Sequence, residues 1–218
     1  MIEGLANAYS DEFHRLHRSL FAGTAPDEAH VIQFTASHFA EGVTTLTLAF
    51  AKFVAELHDS NRVVVVEANL RRPSFGDLFD ITANWVLADL LVGHGTVEDA
   101  VQKAGRYAFD ILPAVKSVGE DTLPPSKSSL QHLEAPLAQL RKKYRYVFLD
   151  TPPVVPFLDS SLICRMADGV AVIVEANLTR SQVLQHSLDK LRSGQAKILG
   201  IIFNKRELHI PKWLYRFV

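Results

Sequence analysis

Few folds accommodate the stretch Val31-Ile-Gln-Phe-Thr-Ala-Ser-His-Phe-Ala-Glu-Gly-Val-Thr-Thr45 and the apolar pattern that follows it. Val31 to Thr35 is short, apolar and partly β-branched, as a buried strand is. Leu46, Phe50, Phe53, Val54 and Leu57 then recur at helical spacing. Between the two lies a turn ending in Gly42, and the helix opens on small hydroxyl residues. Strand, glycine turn and helix in that order form the frame of a phosphate-binding loop. In such a loop, backbone N–H groups and the helix N-terminus cradle a polyphosphate while a Ser or Thr hydroxyl reaches Mg²⁺. The usual ammonium is missing: Gly42-Val43-Thr44 stands where the motif has Gly-Lys-[Ser/Thr].

The remaining chain repeats the alternation. Val63–Val66, Phe109–Leu112, Tyr146–Leu149, Val170–Val174 and Ile198–Phe203 read as further strands. Helical patterns separate them: one from Trp85 to Val101 interrupted near Gly93 and Gly95, one on Leu130, Leu133, Leu137 and Leu140, one on Leu184, Leu188 and Leu191. Residues Lys116 to Ser129 read as a loop. This order predicts an α/β fold, a mostly parallel sheet with helices on both faces. One domain is expected over 1–218, with an N-terminal helix and linker over 1–30 and a tail over 205–218. Phe13, Leu16 and Leu20 give the N-terminal helix one apolar stripe.

Composition narrows the function classes. A formal net charge of −1 argues against bulk attraction to nucleic acid, so any anion site must be local. A single cysteine, Cys164, excludes an intrachain disulfide and suits a reducing cytoplasm. No signal sequence is visible, and no apolar run approaches the ~18 residues a spanning helix needs. Of the nine histidines, His14 and His17 lie three apart on a helix with no third ligand near in sequence, so the expectation is surface histidines rather than a metal cluster. Asp150 closes an apolar strand, where either a Mg²⁺-holding carboxylate or a turn residue belongs.

Thr35 to Thr45, Glu67-Ala-Asn-Leu-Arg-Arg-Pro73, Tyr146-Val-Phe-Leu-Asp-Thr-Pro-Pro153, Asp159, Ala167-Asp-Gly-Val170 and Gly200-Ile-Ile-Phe-Asn204 occur in an order that resembles the bacterial tyrosine kinases. These are deviant-Walker, MinD-like P-loop ATPases that partner polysaccharide co-polymerases in capsule and exopolysaccharide export. The resemblance covers roughly residues 10 to 204. It implies a nucleotide site of Glu41, Gly42, Val43, Thr44, Thr45 and Asn204, with Mg²⁺ on Thr44 and Asp150 and catalytic carboxylates at Glu67 and Asp150. It also implies ATP or ADP as ligand, an inner-membrane co-polymerase as partner, and a cytoplasmic chain recruited to that membrane.

The departures are concentrated at one place. Phe39, Ala40 and Val43 differ from a loop that resembles Pro-Gly-Glu-Gly-Lys-Thr-Thr in the family, and Glu67 and Asn69 stand at two aspartate positions. By analogy with one preorganised oxyanion donor, losing the lysine is worth roughly 3–4 kcal/mol, or ~10²–10³ in rate. Two readings follow. One is a catalytically impaired regulatory or scaffolding partner of a co-polymerase; the other is an active autokinase or ATPase that draws its cation from Arg71 or Arg72. Only Tyr215 lies near the C-terminus, where the family carries a tyrosine cluster. The segment from Ile210 to Val218 interleaves aromatic and basic residues, which suits a membrane surface, a partner or the body of the protein. The family's ring-forming Glu-x-x-Arg-x-x-Arg matches Glu12, Arg15 and Arg18 literally, or Asp11, His14 and His17 when apolar positions set the register. The second register is preferred, and it predicts a weak, pH-dependent ring.

Overall fold

The computed structural model describes residues 2–25, 28–58, 62–116 and 127–206. The aromatic and basic segment from Ile210, Tyr215 and most of the expected 116–129 loop lie outside the described residues.

In chain order the elements are α1 (Ile2–Ala8), α2 (Ser10–Leu20), β1 (His30–Ala36), α3 (Val43–Leu57), β2 (Val63–Glu67) and α4 (Phe75–Leu78). Then come α5 (Leu87–Leu91), α6 (Val97–Ala100), β3 (Gln102–Lys103), β4 (Asp110–Leu112), α7 (Lys127–Gln131) and α8 (Glu134–Lys143). The chain continues with β5 (Tyr146–Asp150), α9 (Asp159–Ile163), β6 (Gly169–Glu175), α10 (Ser181–Ser193) and β7 (Ile198–Asn204). The pattern around Trp85 to Val101 splits into α5 and α6 at the two glycines, both of which adopt positive φ. Four short elements, α1, α4, β3 and α9, had no periodic signal long enough to register.

The strands form one sheet in the order β3-β4-β2-β5-β1-β6-β7, parallel throughout except for the β3–β4 pair. Both faces are covered, which is why the strands are apolar runs rather than alternating ones. Alternate residues sort to opposite sides. Ile32, Phe34, Val63, Val65, Tyr146 and Phe148 join a cluster with α1, α2 and α3. Val31, Val64, Val66, Val147 and Leu149 join another with α5 and α8. Phe34, Phe50 and Phe148 meet at the centre of the first cluster with ring centroids 5.4–6.0 Å apart. Bidentate pairing of Arg141 with Asp168, at 2.8 Å for each oxygen, ties α8 to the turn before β6, and Asp168 also accepts from the Val31 N–H.

Strand order positions the site. β1 lies between β5 and β6, yet the helix that follows it crosses over to reach β2. Chain directions therefore diverge at the carboxyl end of β1, leaving a crevice where open α/β sheets bind ligands.

Candidate nucleotide site

Residues 37–42 fold around a single carboxylate. Glu41 is buried; its Oε2 accepts from the N–H groups of Ser37 (2.7 Å) and His38 (3.0 Å), and its Oε1 accepts from the Thr179 hydroxyl. Gly42 has φ 92°, and a Cβ there would stand 2.3 Å from Nδ2 of Asn204, so a side chain is excluded twice over. That amide nitrogen donates to the Glu41 carbonyl at 2.8 Å. Ala40 occupies the left-handed region at φ 64° without being glycine. Its carbonyl accepts from the Lys205 ammonium at 2.6 Å, and the same ammonium pairs with Glu175 at 2.8 Å. The loop is thus held from behind by the ends of β6 and β7. Asn204, expected from the resemblance to face a nucleotide base, spends one amide hydrogen as a brace on the loop.

At the start of α3 no side chain caps the helix, since Gly42 is the capping residue. Thr44 Oγ1 donates to Oδ2 of Asp150 at 2.6 Å, joining the first turn of α3 to the end of β5. Asp150 is 1% exposed, and its Oδ1 is buried with no hydrogen-bond partner. Burial pushes its carboxyl up to about 7, the Thr44 hydrogen bond opposes that, and the Glu67 carboxylate reinforces it. An oxygen-rich pair with one orphaned carboxylate oxygen, beside the positive end of a 15-residue helix, has the chemistry of a Mg²⁺-phosphate site. The residues present fit the ion. Thr44 and Asp150 would hold it, directly or through water, and it would supply charge neutralisation to phosphate oxygens.

Two expected participants sit otherwise than the sequence suggested. Glu67 is fully buried, and both its oxygens are occupied: Oε1 accepts from the backbone N–H groups of Ser74 and Phe75 (2.8 Å for the latter), Oε2 from that of Ala114 (2.9 Å). It anchors the segments after β2 and β4. Burial raises its carboxyl, and the three backbone donors pull the other way. Three backbone N–H groups hold both oxygens in place, so the geometry gives Glu67 a scaffolding task. Val43 points its aliphatic side chain against the first apolar cluster. At the position of the missing lysine stands a half-buried aliphatic side chain at the border of the core.

The arginines divide. Arg71 makes a bidentate pair with buried Asp159, Nε to Oδ2 at 2.7 Å and a terminal nitrogen to Oδ1 at 3.0 Å, and lies 4.9 Å from the Phe157 ring centre. Arg72 is exposed and lies 5.0 Å over the ring of Phe39, inside the loop itself. Phe39 and Phe157 meet edge to face at 5.7 Å. Arg72 is therefore the arginine whose charge stands over the loop without a carboxylate pair among the described residues. Lys205, Thr179 and Arg72's seat on Phe39 were beyond sequence reasoning, because each depends on a contact between segments far apart in the chain.

On α2 the preferred register is split: Asp11 and His14 are exposed, and His17 is half-buried. His14 packs edge-on against Phe53, and His17 turns toward Phe21, His58 and Tyr146. Asp11, Glu12, Arg15 and Arg18 are exposed. All three residues of the literal Glu12, Arg15, Arg18 set are exposed, whereas the other set has His17 turned inward beside the buried Phe13 and Leu20.

No family model matches the sequence. The chain is 21% identical over 202 residues to tyrosine-protein kinase YwqD of Bacillus subtilis, spanning 91% of this chain and 82% of that one. The VpsO kinase domain superposes with TM-score 0.71 at 26% identity, covering 94% of this chain and 98% of that domain. In sequence and in fold the chain is similar to the bacterial tyrosine kinases. A second relative is the succinoglycan biosynthesis transport protein ExoP of Rhizobium meliloti, 20% identical over 209 residues, which cover 96% of this chain but 26% of ExoP. The fold extends to the cell-division ATPase MinD of Pyrococcus furiosus, with TM-score 0.63 over 87% of this chain and 78% of that one. It extends also to a plasmid partition protein of Borrelia burgdorferi bound to AMPPNP, with TM-score 0.65 over 88% and 81%. Both are 18% identical to it. Among the described residues, no helix is long and apolar enough to cross a membrane.

Proposed function

We propose that this chain is a Mg²⁺-nucleotide-binding, catalytically impaired member of the tyrosine-kinase family that serves capsule or exopolysaccharide assembly as a regulatory partner of a membrane co-polymerase. One observation carries the reading. Thr44 and Asp150 are paired with a carboxylate oxygen to spare, while Val43 rests against the apolar cluster and Glu67 is held by three backbone donors. Binding and positioning groups persist; the groups that would stabilise and deprotonate a reacting centre do not. Arg72 is a cation beside the loop with no carboxylate pair among the described residues, and its perch on Phe39 favours the alternative of an active autokinase if it swings onto a terminal phosphate.

Likeness to ExoP, a biosynthesis transport protein of which this chain matches only a part, supports placing the chain beside polysaccharide transport machinery. The exposed Glu12, Arg15 and Arg18 on α2 are our choice for contacts between copies. Titration calorimetry with ATP and Mg²⁺, run beside a phosphotyrosine immunoblot of the purified chain, tests the proposal. Saturable heat that needs Mg²⁺, with no phosphotyrosine, is expected. Phosphotyrosine on the chain overturns the impaired reading, and absence of any binding heat overturns the nucleotide reading.

A further inference from the structure

At the end of the sheet opposite the loop, three side chains from three elements converge. His17 lies in the last turn of α2, His58 immediately follows α3, and Tyr146 opens β5. The two Nε2 atoms are 3.2 Å apart, and the Tyr146 hydroxyl is 3.0 Å from Nε2 of His58. A neutral imidazole offers one donor and one acceptor, so a single His58 nitrogen cannot satisfy both neighbours with one proton or one lone pair. Two imidazole nitrogens bound to one tetrahedral ion at ~2.0–2.1 Å lie about 3.3 Å from each other. The observed 3.2 Å fits a hydrogen bond and equally fits two ligands sharing an ion.

The surroundings select the chemistry. His58 stacks on Tyr146 at 5.3 Å, and Phe21 covers both His17 and Tyr146 at 5.0 and 4.9 Å, so the nitrogens sit in an aromatic collar. Burial, more than any neighbouring charge, keeps both histidines less basic than usual, His17 down to about 4. The charged and titratable groups facing the pair are Arg145, which lies 5.1 Å over the Tyr146 ring, and His14, one turn before His17. No carboxylate among the described residues perturbs either histidine. Neutral imidazoles without a carboxylate suit Zn²⁺, Ni²⁺ or Co²⁺ and not Mg²⁺ or Ca²⁺.

We propose that His17 and His58 form a two-imidazole site for a divalent transition ion, which fastens the N-terminal helix α2 to the end of α3. Since α3 begins at the candidate nucleotide loop, the ion clamps the far end of the same helix and fixes the rotation at which α2 presents Glu12, Arg15 and Arg18. The sequence offered only half of this site, as His17 and His58 are separated by the whole of β1 and α3.

The test uses the full chain, freed of metal and titrated with Co²⁺, whose visible absorption reports imidazole coordination, and then with Zn²⁺ in competition. One equivalent should bind, and Zn²⁺ should raise the thermal midpoint. His17→Gln and His58→Gln should each weaken binding at least tenfold, and His186→Gln, on α10, should leave it unchanged. Metal-free circular dichroism checks that each variant is folded. X-ray absorption of the zinc-loaded wild type, which needs no variant, should show two imidazoles. Equal binding by wild type and the folded His17→Gln variant overturns the proposal. So does a wild-type midpoint indifferent to Zn²⁺, which would leave the pair as a plain hydrogen-bonded contact.

Discussion

Replacing Asp150 by asparagine isolates the electrostatics of the candidate nucleotide site. The carboxyl is 1% exposed and is raised from the usual 3.8 to about 7, mainly by burial. A folded state that holds a proton more tightly than the unfolded chain is most stable when that proton is present. The contribution is complete below pH 4 and is lost as pH climbs through 7. Each tenfold in proton affinity is about 1.4 kcal/mol, so the ceiling over this window is about 4 kcal/mol, and relaxation around the charge brings the expectation to roughly 2–4 kcal/mol. Asparagine keeps an oxygen for the Thr44 hydroxyl and carries no charge at any pH. Urea unfolding of wild type and Asp150→Asn at pH 5 and pH 8, with chelator present, reads the effect as a change in their stability difference. Neutral buried histidines such as His17 give a slope of the opposite sign, but they are common to both proteins and cancel. At most about 3 kcal/mol of this is expressed between pH 5 and pH 8, so the variant should gain on wild type by roughly 2 kcal/mol between the two pH values. Parallel profiles, within about 0.5 kcal/mol, refute the reasoning. The same proton must leave before Mg²⁺ can bind the carboxylate, so wild-type affinity for Mg²⁺-ATP should be about tenfold tighter at pH 8 than at pH 6.

Three further substitutions probe the scaffold. Ala40→Gly removes a side chain from a left-handed residue at φ 64° and should stabilise the fold by up to about 1 kcal/mol, measured by the urea midpoint. Glu67→Gln sets an amide NH₂ against one of three backbone N–H donors, and a loss of about 2–3 kcal/mol is expected; an unchanged midpoint would sink the anchoring role. Arg71→Met leaves Asp159 buried without its partner and should cost about 2–4 kcal/mol in thermal unfolding, part of it recovered in the Arg71→Met/Asp159→Leu double variant.

Periodicity made the architecture legible. Val63–Val66, Tyr146–Leu149 and Val170–Val174 could hardly be anything but strands buried on both faces, and the alternating helices force a parallel sheet. Thr44 and Asp150 were legible as a pair for a different reason: a loop that opens a helix and a strand that ends in aspartate meet at the same edge of any such sheet. Glu67 was not legible, because its meaning depends on donors at Ser74, Phe75 and Ala114 that arrive from two other segments. His17 was misjudged for a related reason. The apolar stripe of α2 set the helix register, but a half-buried histidine at its border finds its partner, His58, only when α3 lies alongside.

By itself, then, the sequence determined the layers, the strand runs, the loop that begins α3 and the loss of its ammonium at Val43. Only the tertiary structure decided which carboxylate is free and which is saturated, which arginine is spoken for, and which face of α2 meets solvent. Local propensity and hydrophobic period act over a few residues. Hydrogen-bond partners and desolvation are set by groups more than a hundred positions away, as with Thr44 and Asp150 or Asn204 and Glu41, and are fixed only when the sheet closes its order.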